Sequence, residues 1–174
     1  NGNTTVTLGS NNGLLQMGID NALPATTILQ FGSAGNSVAP VDLNGHNLAV
    51  AGLSTITTVN KDAIGNIYNT SPIGTSTPAT ITIAGAANTT YKGDIGDTNL
   101  NVNPFNDNYP YVTGSAAGGA EQLISANTNV SLVINGPGTL TLQPNPNLLS
   151  ANPSNDGSNE YTGTTTINGG GLVF

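Results

Sequence analysis

Cysteine, tryptophan and arginine are all absent from the 174 residues, and lysine occurs only at Lys61 and Lys92. Without cysteine, neither a disulfide framework nor a thiolate metal site can form. Without a basic patch, nothing displaces counterions from a phosphate backbone, which excludes nucleic acid as a partner. Charged residues of either sign make up 6% of the chain, against about 25% in an ordinary soluble domain. That scarcity removes most enzymes, which need several ionisable groups at close quarters. No apolar run approaches the 18 or so residues that a membrane-spanning helix requires, so membrane insertion is not expected.

Asn (26), Thr (24), Gly (23) and Ser (12) together fill 85 of the 174 positions, and the net charge is −7. So polar a chain could be disordered. Against that stands an apolar fraction of 36%, rich in Val, Ile and Leu and arranged in regular short runs. The sequence opens on Asn1 with neither a methionine nor a signal peptide, so a processed product or an excerpt is expected.

Apolar and polar residues alternate along the chain. Val6/Leu8, Ile81/Ile83, Leu132/Ile134, Leu140/Leu142 and Leu172/Phe174 are the clearest pairs, each in a short run closed by Gly, Asn or Pro. This pattern predicts short strands. Asn-Gly at 12–13, 44–45, 135–136 and 168–169 predicts backbone at positive φ. A helical period is nowhere sustained, the best candidate being AEQLIS at 120–125. The predicted class is all-β, in one domain over 1–174.

Internal similarity narrows the architecture. Residues 80–94 and 139–164 share a Thr-aliphatic-Thr-aliphatic strand, a polar turn and a Tyr-x-Gly, at Tyr91–Gly93 and Tyr161–Gly163. A unit of roughly 20–25 residues with insertions is the size of one coil of a β-solenoid. Coil-on-coil stacking would let Asn and Thr form hydrogen-bonded ladders. It would also disfavour like charges at the roughly 4.8 Å strand spacing.

GPGTLTL at 136–142, followed by YTGTTTINGGGLVF at 161–174, resembles the autotransporter-associated β-strand repeat of large secreted bacterial surface proteins. DNALPATTILQFG at 20–32, VDLNGHNLAVAGL at 41–53, PATITIAG…TTYKGDI and NVSLVINGPGTLTL resemble its neighbouring elements. The resemblance covers about two-thirds of the chain, and two insertions, about 96–128 and 143–158, fall outside it. It implies a right-handed parallel β-helix (a β-solenoid) carrying two inserted loops. It further implies export to an extracellular or bacterial cell-surface location, and service as a stalk.

The remaining chemistry-bearing residues are sparse. Asp94 and Asp97 lie close together beside Lys92, but a β-helix lyase or hydrolase would need further carboxylates and an arginine, so no enzyme is predicted. With Asp107 the same two acids could hold Ca²⁺, although their spacing matches no established calcium loop and a solvated turn is the simpler reading. No other cofactor is expected. His46 stands alone after an Asn-Gly turn and reads as a surface turn residue. Phe105, Tyr109 and Tyr111 concentrate in NPFNDNYPYVTG at 103–114, where a projecting loop could stack on sugar rings or on a neighbouring fibre, as in an adhesin. The same loop could equally fold back on its own solenoid.

Residues 1–19 and 161–174 contain no charge, and both stretches read as strands. Neither shows a capping helix, an edge lysine or a proline in its strand, so the unit is expected to continue into like units. Val6, Leu8, Ile167, Leu172 and Phe174 are the residues expected at that end-to-end interface. The functional expectation is a structural segment of an extracellular fibre, its partners being copies of itself or adjacent repeats, with glycans or other fibres as further candidates.

Overall fold

Where threonine alternates with aliphatic residues the chain is extended, and thirteen strands appear among the described residues. The structure is a computed structural model that describes residues 4–8, 14–32, 41–56, 67–70, 77–93, 95–96, 129–143, 159 and 161–174. The strands are β1 (Thr4–Leu8), β2 (Leu15–Gln16), β3 (Thr27–Phe31), β4 (Val41–Asp42), β5 (Leu48–Val50), β6 (Gly52–Thr55) and β7 (Ile67–Tyr68). They continue with β8 (Ala79–Ile83), β9 (Thr89–Tyr91), β10 (Val130–Ile134), β11 (Thr139–Leu142), β12 (Thr165–Ile167) and β13 (Gly171–Val173). No helix occurs among the described residues, so the protein is all-β there.

Every strand pairing among the described residues is parallel. The first sheet runs β1-β3-β6, the second β2-β4-β7, the third β5-β8-β10-β12 and the fourth β9-β11-β13. A bridge from Ile67 to Ile95 extends the second sheet. The fourth continues the first, since β9 lies against β6 and Lys92 N donates to Thr55 Oγ1 at 3.0 Å. The chain therefore visits three columns of strands in rotation. Partners in register are 23 residues apart between β1 and β3, 24 between β3 and β6, and 26 along the second sheet. The interval is 33 residues between β5 and β8, 51 between β8 and β10, and 33 between β10 and β12.

Alternation decides what is enclosed. On β3, β8 and β10 every second residue is buried. Leu48, Ile81 and Leu132 are in mutual register, as are Val50, Ile83 and Ile134, and all six are buried. Like aliphatics thus stack from layer to layer, and burying each contributes about 1.5–3 kcal/mol. Phe31 and Tyr91 add a buried aromatic pair, with ring centroids 5.0 Å apart and a tilt of 56°.

Two sequence expectations meet a different geometry. Residues 80–94 and 139–164 do not stack as equivalent units: β8 belongs to the third sheet and β11 to the fourth. The layers that do stack are 79–91 on 130–142, at a constant interval of 51 residues. Tyr91 accordingly registers with Leu142, while Tyr161 lies against Gly96. Asn44 and Gly45 do take positive φ, 48° and 78°, and His46 N closes that turn onto Leu43 O at 2.8 Å. At 168–169 the positive φ falls one residue later, on Gly170. Neither Asn135 nor Gly136 has positive φ. Gly136 is required for another reason: a Cβ there would sit 2.1 Å from the carbonyl oxygen of Gly85 in the layer below. The Asn-Gly at 12–13, the 120–125 segment and nearly all of both insertions lie outside the described residues.

Two interior hydroxyls, Thr27 Oγ1 and Thr89 Oγ1, are unmatched among the described residues. Thr27 is fully buried, and its Oγ1 has no hydrogen-bond partner among the described residues. Thr27→Val keeps the shape and removes the unpaired hydroxyl, so it should stabilise the protein by about 1 kcal/mol. The check is a higher urea midpoint at unchanged slope.

Candidate functional site

Two places in the fold concentrate chemistry: the outer edges of the sheets and a buried polar column beside the second sheet. At one outer edge stand β12 and β13, each paired on one side only. Ile167, on β12, is 52% exposed, Val173 48% and Phe174, just past β13, 78%. Leu172 is partly buried against the core. At the opposite edge β1 pairs only with β3, placing Val6 in register with Leu29 and Leu8 with Phe31. An unpaired strand edge offers a row of backbone donors and acceptors to another strand. At the β12–β13 edge that row comes with large exposed apolar side chains.

Sequence reasoning missed the second place. Asp42, on β4, is fully buried. Its Oδ1 accepts from Asn44 N at 2.8 Å and Thr70 N at 2.9 Å. Its Oδ2 accepts from Gln16 Nε2 at 2.8 Å and Thr70 Oγ1 at 2.5 Å. Four donors saturate a carboxylate, and they come from three successive layers. The network extends further: Asn44 Nδ2 donates to Met17 O, Gly45 N to Asn69 Oδ1, and Asn69 Nδ2 to Thr77 O. A sequence signal did exist, since an acid inside a run of buried strand positions needs partners. With its acceptors filled, Asp42 is a structural tie, and no group of three His, Cys, Asp or Glu able to hold a metal occurs among the described residues.

Side-chain ladders between layers also form. Asn168 Nδ2 donates to Asn135 Oδ1 at 2.7 Å, and Thr164 N to Ser131 Oγ at 3.2 Å. Asn47 Oδ1 accepts from Thr80 N and Asn88 Oδ1 from Thr139 N, both at 2.9 Å. In each of these two pairs an asparagine just before one strand receives an amide from the first two residues of the strand in the next layer.

His46 lies in the Asn-Gly turn, and its Nδ1 is 3.2 Å from Asp20 Oδ1, with both side chains partly or largely exposed. The Asp20 carboxyl is held below the ordinary aspartate value, first by the Asn47 backbone N–H and then by the His46 side chain. A depressed carboxyl stabilises the fold above its unfolded value, near pH 3.9, and that contribution disappears as pH falls through the folded value. His46→Ala leaves the Asn47 bond in place. Its Asp20 titration, followed by NMR, should rise only part of the way to the ordinary value.

Asp94, Asp97 and Asp107, the candidate calcium ligands, lie outside the described residues, as do Phe105, Tyr109 and Tyr111 of the aromatic loop. No helix among the described residues is long and apolar enough to cross a membrane. No protein-family model, curated protein or solved structure matches the chain.

Proposed function

We propose that the chain is a right-handed parallel β-helix serving as a structural segment of an extracellular, bacterial cell-surface fibre or stalk, stacking end to end with like units. The observation that carries this reading is the pair of open sheet edges, one of them bearing Ile167, Val173 and Phe174. The rotation of the chain through three parallel columns supports the β-helix, and crossovers between parallel strands are right-handed in about 98% of cases. The resemblance to the autotransporter-associated β-strand repeat supports the location and the stalk role. Rigidity would come from backbone hydrogen bonds running along the axis around a dry aliphatic interior.

A head-to-tail contact between the two unlike outer edges extends rather than closes. Covering each exposed apolar side chain would contribute about 1.5–3 kcal/mol. The test is sedimentation of the purified protein over a concentration series, with electron microscopy of the same samples. Rods and a mass that grows with concentration are expected, and Ile167→Asp with Phe174→Asp should weaken assembly by about tenfold or more. A monomer that persists to the highest soluble concentration overturns the reading.

A further inference from the structure

The two outer edges match in direction and spacing, and neither carries charge. From this we infer the joint itself: β1 of one copy pairs in parallel with β13 of a second copy, with Val6 against Leu172 and Leu8 against Phe174. The inference rests on the end-to-end stacking proposed above and adds its register.

Direction comes first. β1, β3 and β6, then β9, β11 and β13, occupy one column in which every ladder is parallel. A second copy translated along that column, without rotation, brings its β1 to the free edge of β13 running the same way. Parallel ladders accept only that polarity.

Spacing fixes the register. Leu172 registers with Leu140, so the chain two residues on, at Phe174, continues toward Leu142, which registers with Tyr91. Leu140, Leu142 and Tyr91 are buried, whereas Phe174, the outermost member of the series, is 78% exposed. On the opposite edge Val6 and Leu8 register with Leu29 and Phe31, which are also buried. Both edges thus present a pair of apolar residues two positions apart, in register with buried residues of the neighbouring strand. Only one alignment superposes both pairs, and a slip by one residue would turn the joining strand's apolar positions to the solvent face. The third column agrees. Val50, Ile83, Ile134 and Ile167 are in register, and Leu23 packs on the core in the segment whose Asn21 N donates to Asn47 O, just before β5. The second copy's Leu23 would therefore cover Ile167.

Charge permits the approach. Residues 1–19 and 161–174 hold none of the eleven charged residues of a chain carrying a net −7, so two copies meet there without like-charge contact. Neither β1 nor β13 contains lysine or proline, the usual means of blunting an edge.

The cysteine-free chain makes the test direct. Leu8→Cys with Phe174→Cys in one chain, oxidised mildly after assembly, should give a ladder of covalent multimers whose disulfide joins residue 8 of one copy to residue 174 of another by mass spectrometry. Cα atoms on neighbouring parallel strands lie within disulfide reach. Thr7→Cys with Phe174→Cys, shifted by one residue, should cross-link at least tenfold less. If the first pair assembles poorly because two apolar residues are lost, Val6→Cys with Leu172→Cys tests the same register. Equal yields from matched and shifted pairs, or cross-links joining two copies of residue 174, overturn the register. Rods without any 8–174 or 6–172 bond also overturn it while sparing the proposed stacking. An unmodified protein that never leaves the monomer overturns both.

Discussion

Asp42→Ala should destabilise the protein by about 2–4 kcal/mol, because a buried acceptor disappears and several of its donors are left unmatched. The carboxylate is fully buried and accepts four hydrogen bonds. Removing it leaves the half-buried Asn44 and Thr70 amides and the Thr70 hydroxyl without their acceptor, at about 1–3 kcal/mol for each that water does not reach, whereas the exposed Gln16 amide can turn to solvent. Asp42→Asn separates charge from shape. The retained oxygen can keep one pair of donors, but the new NH₂ faces donors where an acceptor stood, so the loss should be intermediate. Chemical denaturation at neutral pH measures both. A loss under about 1 kcal/mol for Asp42→Ala would mean that the column is incidental to the fold. Because Gln16, Asp42 and Thr70 come from three successive layers, the damage should spread: hydrogen exchange should accelerate in β2, β4 and β7 together.

That this residue escaped sequence reading has a physical cause. Strands were legible where one face is enclosed and the other wet, as in β3, β8 and β10, whose burial alternates strictly. The two-residue strands β4 and β7 have both positions buried, so alternation fails there and Asp42 resembles an ordinary turn acid. Of the residues expected at the ends, Ile167 and Phe174 are exposed and Leu172 is partly buried against the core. Layer register was misjudged because Thr-aliphatic strands occur in more than one column. The similarity of TITI in β8 to TLTL in β11 is one of strand type, not of position. The stacked pair, 79–91 on 130–142, shares few identities, yet it carries a signal free of gaps. Ile83 falls on Ile134, and Gly85 falls over Gly136 where the chain turns between columns. A search for glycines at a fixed interval would have found it.

Gly136→Ala should cost about 3 kcal/mol or more, at the upper end for overpacked interiors, and lower the melting temperature by about 10 °C. The added Cβ would lie 2.1 Å from Gly85 O and 2.5 Å from Ala84 C, and both are backbone atoms with no rotamer to yield. Relief requires the layers to part, which breaks the bonds from Asn135 N and Gly136 N to Ile83 O at 2.8 and 3.0 Å. The same crowding recurs in each layer at this corner: Gly85 against Ala51 O at 2.3 Å, Gly138 against Ala87 O at 2.3 Å, and Gly170 against Gly138 O at 2.0 Å. Gly18, with nothing within 4 Å of its ideal Cβ, is the control. Gly18→Ala should be neutral or slightly stabilising, by up to about 1 kcal/mol, through the unfolded chain. Thermal unfolding of the pair separates steric stacking from any general intolerance of alanine. Position then decides the consequence. Gly136 lies between inner layers, so its replacement should unfold the whole, whereas Gly170→Ala, between β12 and β13, presses on Gly138 O and Gly136 O from the outermost layer, which can part from its single neighbour. Loss of assembly with the inner layers' hydrogen-exchange protection intact is the outcome expected of Gly170→Ala. Equal global losses from both substitutions would show that the outer layer is no separate unit but part of one cooperative stack.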